Sequence, residues 1–175
     1  VDVGILADAK SALKAILSKV KEKRQARTEM EDLPRYRELT QQTQMQGFQF
    51  LMAEPTHGLN PGQMVFNART FFPRNAVTVL DGGNTTLWGV AFNQIFEPRS
   101  FLYSVKMGYL GTGVPFAIGA KLAAPERVVY CITGDGAVGF NIMEMETALR
   151  ENAQIIVLVA VDDGWGMERS AHNFG

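Results

Sequence analysis

Cysteine is nearly missing: among 175 residues there is one, Cys131, so no internal disulfide can form and a reducing, cytoplasmic setting is the simplest expectation. An excess of charge of one sign is missing too. Seventeen Lys and Arg against eighteen Asp and Glu leave a net charge of -1, which gives no electrostatic footprint for nucleic acid or an anionic membrane. Long apolar runs are absent; the stretch from Ile155 to Val161 is too short to span a bilayer and runs straight into two aspartates. No charged-then-apolar leader opens the chain, and there are no internal repeats or low-complexity tracts. What is present is a composition of 46% hydrophobic and 20% charged residues, ordinary for a globular protein and against disorder, in a length that suits one domain and a piece of a second.

The first 57 residues carry little chemistry. Val1 to Leu6 reads as a short strand, and Asp8 caps a helix with Ala9, Leu13, Ile16, Leu17 and Val20 on one face. This stretch, residues 1–21, looks like the tail of a preceding domain. Residues 22–57, rich in Gln, Arg and Glu, read as a linker with a helical stretch. A second domain is expected over 58–175, opening at Asn60-Pro61 with a helix to about Phe71. From there strands and helices alternate. Ala76–Leu80, Arg127–Thr133 and Ile155–Val161 are apolar strand runs, while Gly113–Ala124 and Phe140–Glu151 read as helices. Unbroken apolar strands between helices predict an α/β fold, a parallel sheet with helices on both faces. Ligands of such sheets bind beyond the carboxyl ends of the strands. Here those ends are Asp81-Gly82-Gly83-Asn84, Gly134-Asp135-Gly136 and Asp162-Asp163-Gly164.

Glycines let a backbone approach a ligand, and a helix that follows points its free N–H groups there, which suits a phosphate. The aspartate between the glycines would repel a bare phosphate unless a divalent cation lay between them. Mg²⁺ is commonly held by one or two carboxylates together with substrate phosphates, and Asp162 is placed to join Asp135 on such an ion. On the residues alone a plainer alternative stays open, in which Asp135 and Asp162 only cap helices and turns.

Gly134-Asp135-Gly136, followed further on by Val161-Asp162-Asp163-Gly164-Trp165-Gly166-Met167, resembles the fingerprint of thiamine diphosphate-dependent enzymes of the acetolactate synthase-like family. Val79 to Trp88 resembles that family's diphosphate loop, and Met107 to Ala120 its glycine-rich segment beneath the cofactor. Asn60-Pro61 is similar to its usual domain entry, and Asp8-Ala9-Lys10 to the end of its central domain. The resemblance implies thiamine diphosphate and Mg²⁺ as cofactors, and a thiamine diphosphate-binding fold that is truncated here. Asp135 and Asp162 would ligate Mg²⁺ by side chain and Gly164 by its carbonyl. Asn84, Thr85, Gly136 and Ala137 would contact the diphosphate; Met167 is counted among the cofactor-binding residues. The carbonyl of Gly108 would accept from the cofactor's 4'-amino group, and Leu110 would wedge the cofactor into its bent form.

Two departures from the family pattern stand out. Val161-Asp162 replaces an asparagine pair, adding a negative charge, and Ala137 stands where a hydroxyl residue often meets the phosphate. The activating glutamate of the family comes from a pyrimidine-binding domain, which is absent, so the chain is expected to be one part of a larger enzyme and inactive alone. The implied whole is a self-associating lyase or transferase acting on a 2-oxo acid. A non-catalytic binding or regulatory subunit with a degenerate pocket is the alternative. A nicotinamide-dependent dehydrogenase, suggested by Gly111-Thr112-Gly113, lacks the third glycine at Phe116. Cys131, Glu144 and His172 are read as structural or solvated residues.

Overall fold

The computed structural model describes residues 4–23, 33–55, 58–104 and 108–172, apart from the side chains of residues 33, 170 and 171. The chain divides into two compact units, Val1–Gln46 and Gly47–Gly175. In the first, helix α1 (Ala9–Glu22) starts at Asp8, whose carboxylate accepts from the Ser11 amide at 3.1 Å. Leu13, Ile16, Leu17 and Val20 line one side of α1 and are exposed. The strand expected at the start is not seen in its described part, since residues 4–6 are irregular with Ile5 and Leu6 exposed; residues 1–3 lie outside the described residues. Helix α2 (Leu33–Met52) follows, and its last turn belongs to the second unit. That unit thus opens at Gly47, before the residue 58 expected. The reason is aromatic: Phe50 stacks on Trp88 at 5.2 Å and on Phe92 at 5.4 Å. Asn60 adds to this by donating to the Phe50 carbonyl while its Oδ1 caps helix α3 (Pro61–Phe71) through the amides of Gly62 and Gln63.

The rest of the second unit runs β1 (Val77–Leu80), α4 (Asn84–Phe92), β2 (Phe101–Leu102), α5 (Gly113–Ala123), β3 (Val129–Gly134), α6 (Asp135–Asn141), α7 (Glu144–Arg150), β4 (Ile156–Ala160) and α8 (Gly166–His172). All neighbouring strands are parallel, in the order β2-β1-β3-β4. Although β1 and β3 are buried almost throughout, their residues still alternate between the two faces of the sheet. Leu80, Tyr130 and Ile132 pack with Val65 of α3 and with Trp88 and Phe92 of α4. Val77, Val79, Val129 and Cys131 pack instead with Ala117 of α5. Helices therefore cover both faces. None of the described helices is long and apolar enough to cross a membrane.

The strand order matters for function. The chain leaves β1 toward β2 on one side, then crosses to β3 on the other, so the connections diverge between β1 and β3. That divergence opens a crevice at the carboxyl ends of the two strands, the usual ligand position in open parallel sheets. The register Leu80↔Ile132 brings Asp81 and Thr133 to the same level, and Gly134↔Ala160 does so for the loops after β3 and β4. One expected helix, Phe140–Glu151, is instead two short ones: α6 begins at Asp135, inside the glycine loop, and α7 at Glu144.

Candidate functional site

The loop after β1 is organised by a buried acid. Asp81, 1% exposed, accepts from the Gly82 amide on one carboxylate oxygen and from the Thr133 hydroxyl on the other, both at 2.8 Å. Its carbonyl accepts from the Thr86 hydroxyl and, at 3.2 Å, from that of Thr85. The turn is thus locked to the first turn of the helix α4 that follows it. Gly83 then takes φ 79°, in the left-handed region that favours glycine, and Asn84 opens the helix. Thr85, expected beside a diphosphate, is buried with its hydroxyl turned inward to the Gly82 and Asp81 carbonyls. What it can offer an anion is its backbone N–H, one of the first-turn amides with no partner inside a helix. Asp81 was not singled out from the sequence. Its signal was a charged residue closing an otherwise apolar strand run just before two glycines.

The glycine-rich segment lies directly against this loop. A Cβ on Gly82 would run into the carbonyl oxygens of Gly108 and Tyr109. One on Gly83 would sit 3.3 Å from Leu110 Cδ2, so the residue expected to wedge the cofactor borders the loop expected to hold its diphosphate. Gly108 has φ 59° and Gly111 φ 87°, and the Gly111 carbonyl accepts from Asn141 Nδ2 at 2.8 Å, tying the segment to the end of α6. Met107, where the motif starts, lies outside the described residues.

The loops after β3 and β4 meet in turn. Asp135 is the first residue of α6, and its carboxylate accepts from the Gly136 amide at 2.8 Å. A Cβ on Gly136 would strike the Trp165 indole ring and would stand 3.5 Å from the Gly164 carbonyl oxygen. Ala137 is buried in the first turn of α6. Beyond β4, Asp163 (φ 59°) and Gly164 (φ 153°) make a tight reversal, and Asp162 is exposed at its start. The Asp162 carboxylate and Asn84 Nδ2 converge on one point beside Gly166, where a Cβ would lie 3.0 Å from the Asn84 nitrogen. Met167 follows on α8, 38% exposed.

These contacts close a ring. Gly82 and Gly83 touch the Gly108–Leu110 segment, Asn84 meets the Asp162 loop, and that loop meets Gly136. The donors at its rim are two carboxylates, a carbonyl and the amides of two helix first turns. The oxygens suit a hard cation that completes its shell with phosphate oxygens and water, and the amides suit a phosphate. Among the described residues no group of three or more His, Cys, Asp and Glu is arranged to hold a metal by itself. A cation here would need oxygens from a bound group to complete its shell.

Other candidates stand apart. Glu144 accepts from the Thr147 hydroxyl at 2.8 Å, a local bond at the start of α7, and His172 is exposed at the end of α8. Cys131 is fully buried, and desolvation, helped by the nearby Asp81 carboxylate, pushes its thiol from an ordinary 9.0 up to about 12. The folded chain should thus resist thiol alkylation at pH 8 and react only as urea unfolds it. Linkage gives a second consequence. Above pH 9 the unfolded thiol loses a proton that the folded one keeps, so stability should fall from about pH 9 toward 12. Below pH 9 that contribution is fully present. Urea midpoints of the chain and of Cys131→Ala at pH 8 and pH 10 read this, and an equal drop in both would contradict it.

Residues 81–174 match the family model described as "Thiamine pyrophosphate enzyme, C-terminal TPP binding domain". Mouse 2-hydroxyacyl-CoA lyase 2 is 38% identical over 107 residues, 61% of this chain and 17% of its own length. The Mycobacterium tuberculosis acetolactate synthase large subunit is 32% identical over 111 residues, 63% of this chain and 20% of its own. That of Buchnera aphidicola matches more of the chain, 95%, at 25% identity and over 28% of its own length. The chain thus spans between 17% and 28% of the length of these relatives. Among solved structures, the Rhodococcus jostii thiamine diphosphate-dependent 4-hydroxybenzoylformate decarboxylase overlays 70% of this chain and 23% of its own with a TM-score of 0.63. At 24% identity that likeness concerns the fold.

Proposed function

Since the chain belongs to the thiamine pyrophosphate enzymes and carries their C-terminal TPP-binding domain, we propose that it holds the diphosphate of thiamine diphosphate through Mg²⁺ in an acetolactate synthase-like enzyme acting on 2-oxo acids. The observation that carries this reading is the meeting of three strand-end loops beside the β1/β3 crevice, with Asn84 beside Asp162 and Gly136 beside Gly164.

In this reading Asp135, Asp162 and the Gly164 carbonyl hold the cation. Asn84 and the first-turn amides of α4 and α6, at Thr85, Gly136 and Ala137, meet the diphosphate. Gly108 and Leu110 stand on the side where the rest of the cofactor would run, with Met167 at the outer rim. Bound there, thiamine diphosphate supplies the carbanion-stabilising chemistry, and the protein supplies orientation and electrostatics. Asp162 leaves the site one negative charge richer than an asparagine would, and both its carboxylate and the Asn84 amide lie beside Gly166. Ala137 brings no hydroxyl, a loss of about 1 kcal/mol of hydrogen bonding.

The glutamate that would activate the cofactor belongs to a pyrimidine-binding domain or subunit, and self-association of the complete enzyme, in the cytoplasm, goes with it. Titrating thiamine diphosphate into the chain by calorimetry tests the reading. Heat is expected with Mg²⁺ and none with a chelator, and no pyruvate should be consumed by the chain alone. Tight binding in the chelator, or turnover by the chain, would overturn it. The alternative, a non-catalytic subunit with a degenerate pocket, draws on the acidic Val161-Asp162 pair. It would be favoured by a complete enzyme that binds no cofactor even with Mg²⁺.

A further inference from the structure

Asp162, Asp163 and Gly164 form a tight turn beyond β4. A non-glycine residue at φ 59° is followed at once by a glycine at φ 153°. The turn's own sequence permits it, since aspartate visits the left-handed region more readily than most residues and glycine does so freely. Asp163 is exposed, however, and no side-chain bond of its own holds it there among the described residues. The fastening comes from α8. Arg169 donates from Nη1 to the Asp162 carbonyl at 3.3 Å and from Nη2 to the Asp163 carbonyl at 2.9 Å. Its own amide donates to the Trp165 carbonyl at 2.9 Å, so α8 is wound directly onto the turn. A Cβ on Gly164 would meet the same guanidinium, which therefore covers the outer side of the turn.

We propose that Arg169 is the positioning residue of the candidate metal loop: by drawing the Asp162 and Asp163 carbonyls outward to one guanidinium, it leaves the Gly164 carbonyl facing Gly136 and the start of α6. The purpose given to the loop rests on the function proposed above; the positioning itself does not. The planar guanidinium matters because it presents several N–H groups in a fixed fork, able to satisfy two successive carbonyls at once. A lysine ammonium keeps the charge without that geometry.

The alternative role for Arg169 is a basic residue in the last turn of α8, favourable to the helix dipole and nothing more. Backbone ¹⁵N relaxation on the chain without metal or cofactor separates the two, using Arg169→Gln and Arg169→Lys. If Arg169 positions the loop, order parameters at residues 162–165 fall from about 0.85 to below about 0.6 in both variants, while those of β1 and β3 stay put. In a parallel titration with Mg²⁺ and thiamine diphosphate, both variants should bind about tenfold more weakly, the scale of a charge-assisted hydrogen bond. Unchanged order in Arg169→Gln, or full retention of order and affinity in Arg169→Lys, would overturn the proposal. If the unaltered chain binds no thiamine diphosphate while the loss of order is still seen, the positioning stands and the cofactor reading falls.

Discussion

Replacing Asp135 with asparagine is expected to weaken Mg²⁺-dependent binding of thiamine diphosphate by at least about a hundredfold. The comparison rests on residues around a metal's ligands, whose loss alone typically costs 10–100-fold in affinity. The substitution is conservative for folding, because an asparagine oxygen can still accept from the Gly136 amide as the carboxylate does at 2.8 Å. What it removes is charge, at the position where α6 begins and the diphosphate would lie. Asp162→Asn should behave oppositely and keep or improve binding. It removes the extra negative charge and retains an oxygen ligand beside Asn84 Nδ2. The two variants are titrated with thiamine diphosphate at saturating Mg²⁺. Loss of binding in Asp162→Asn with binding intact in Asp135→Asn would reverse the ligand assignment.

The second large effect is steric. A methyl group on Gly82 has nowhere to go, since the carbonyls of Gly108 and Tyr109 occupy its position and both are backbone atoms. Relief requires the glycine-rich segment to move away from β1, and with it Leu110. Gly82→Ala should therefore cost about 3 kcal/mol, the upper end of ordinary point substitutions. Gly119→Ala is the matched control. It lies in α5 with nothing within 4 Å of its added Cβ, so it should stabilise the chain by roughly 0.5–1 kcal/mol through helix propensity. Urea unfolding of the two variants compares them directly. A Gly82→Ala chain as stable as the unaltered one would mean that the two loops are not in contact in solution.

Much of this arrangement could be read from residue order. The runs around Val77–Leu80 and Val129–Thr133 announce buried strands by being apolar on both faces. Ile156–Ala160 has the same pattern, yet Ile156 and Val159 are exposed, and the Gly- and Asp-rich ends of all three announce the crevice. Other parts carried no local signal. Strand β2 is two residues long and exists only by pairing with Thr78 and Val79. Helix α4 follows two glycines and starts with Asn-Thr-Thr, which reads as a loop until Asp81 gathers the threonine hydroxyls. Gly136 and Gly139 are poor helix formers, yet α6 forms around them, its end held by the bond from Asn141 to Gly111. Asp81 and Arg169 escaped notice for a shared reason. Their partners are set by which loops meet in space, and in Asp81's case one partner, Thr133, lies far along the chain.

The central claim is that strand-end loops of one parallel sheet hold a cation between protein oxygens and a diphosphate. Crystals of the chain grown with thiamine diphosphate and Mn²⁺, which takes the same oxygen ligands as Mg²⁺ and gives an anomalous signal, test it most directly. The account predicts one anomalous peak among the Asp135 carboxylate, the Asp162 carboxylate and the Gly164 carbonyl, with the diphosphate over the starts of α4 and α6. A peak away from Asp135, or a diphosphate bound elsewhere on the sheet, would contradict it.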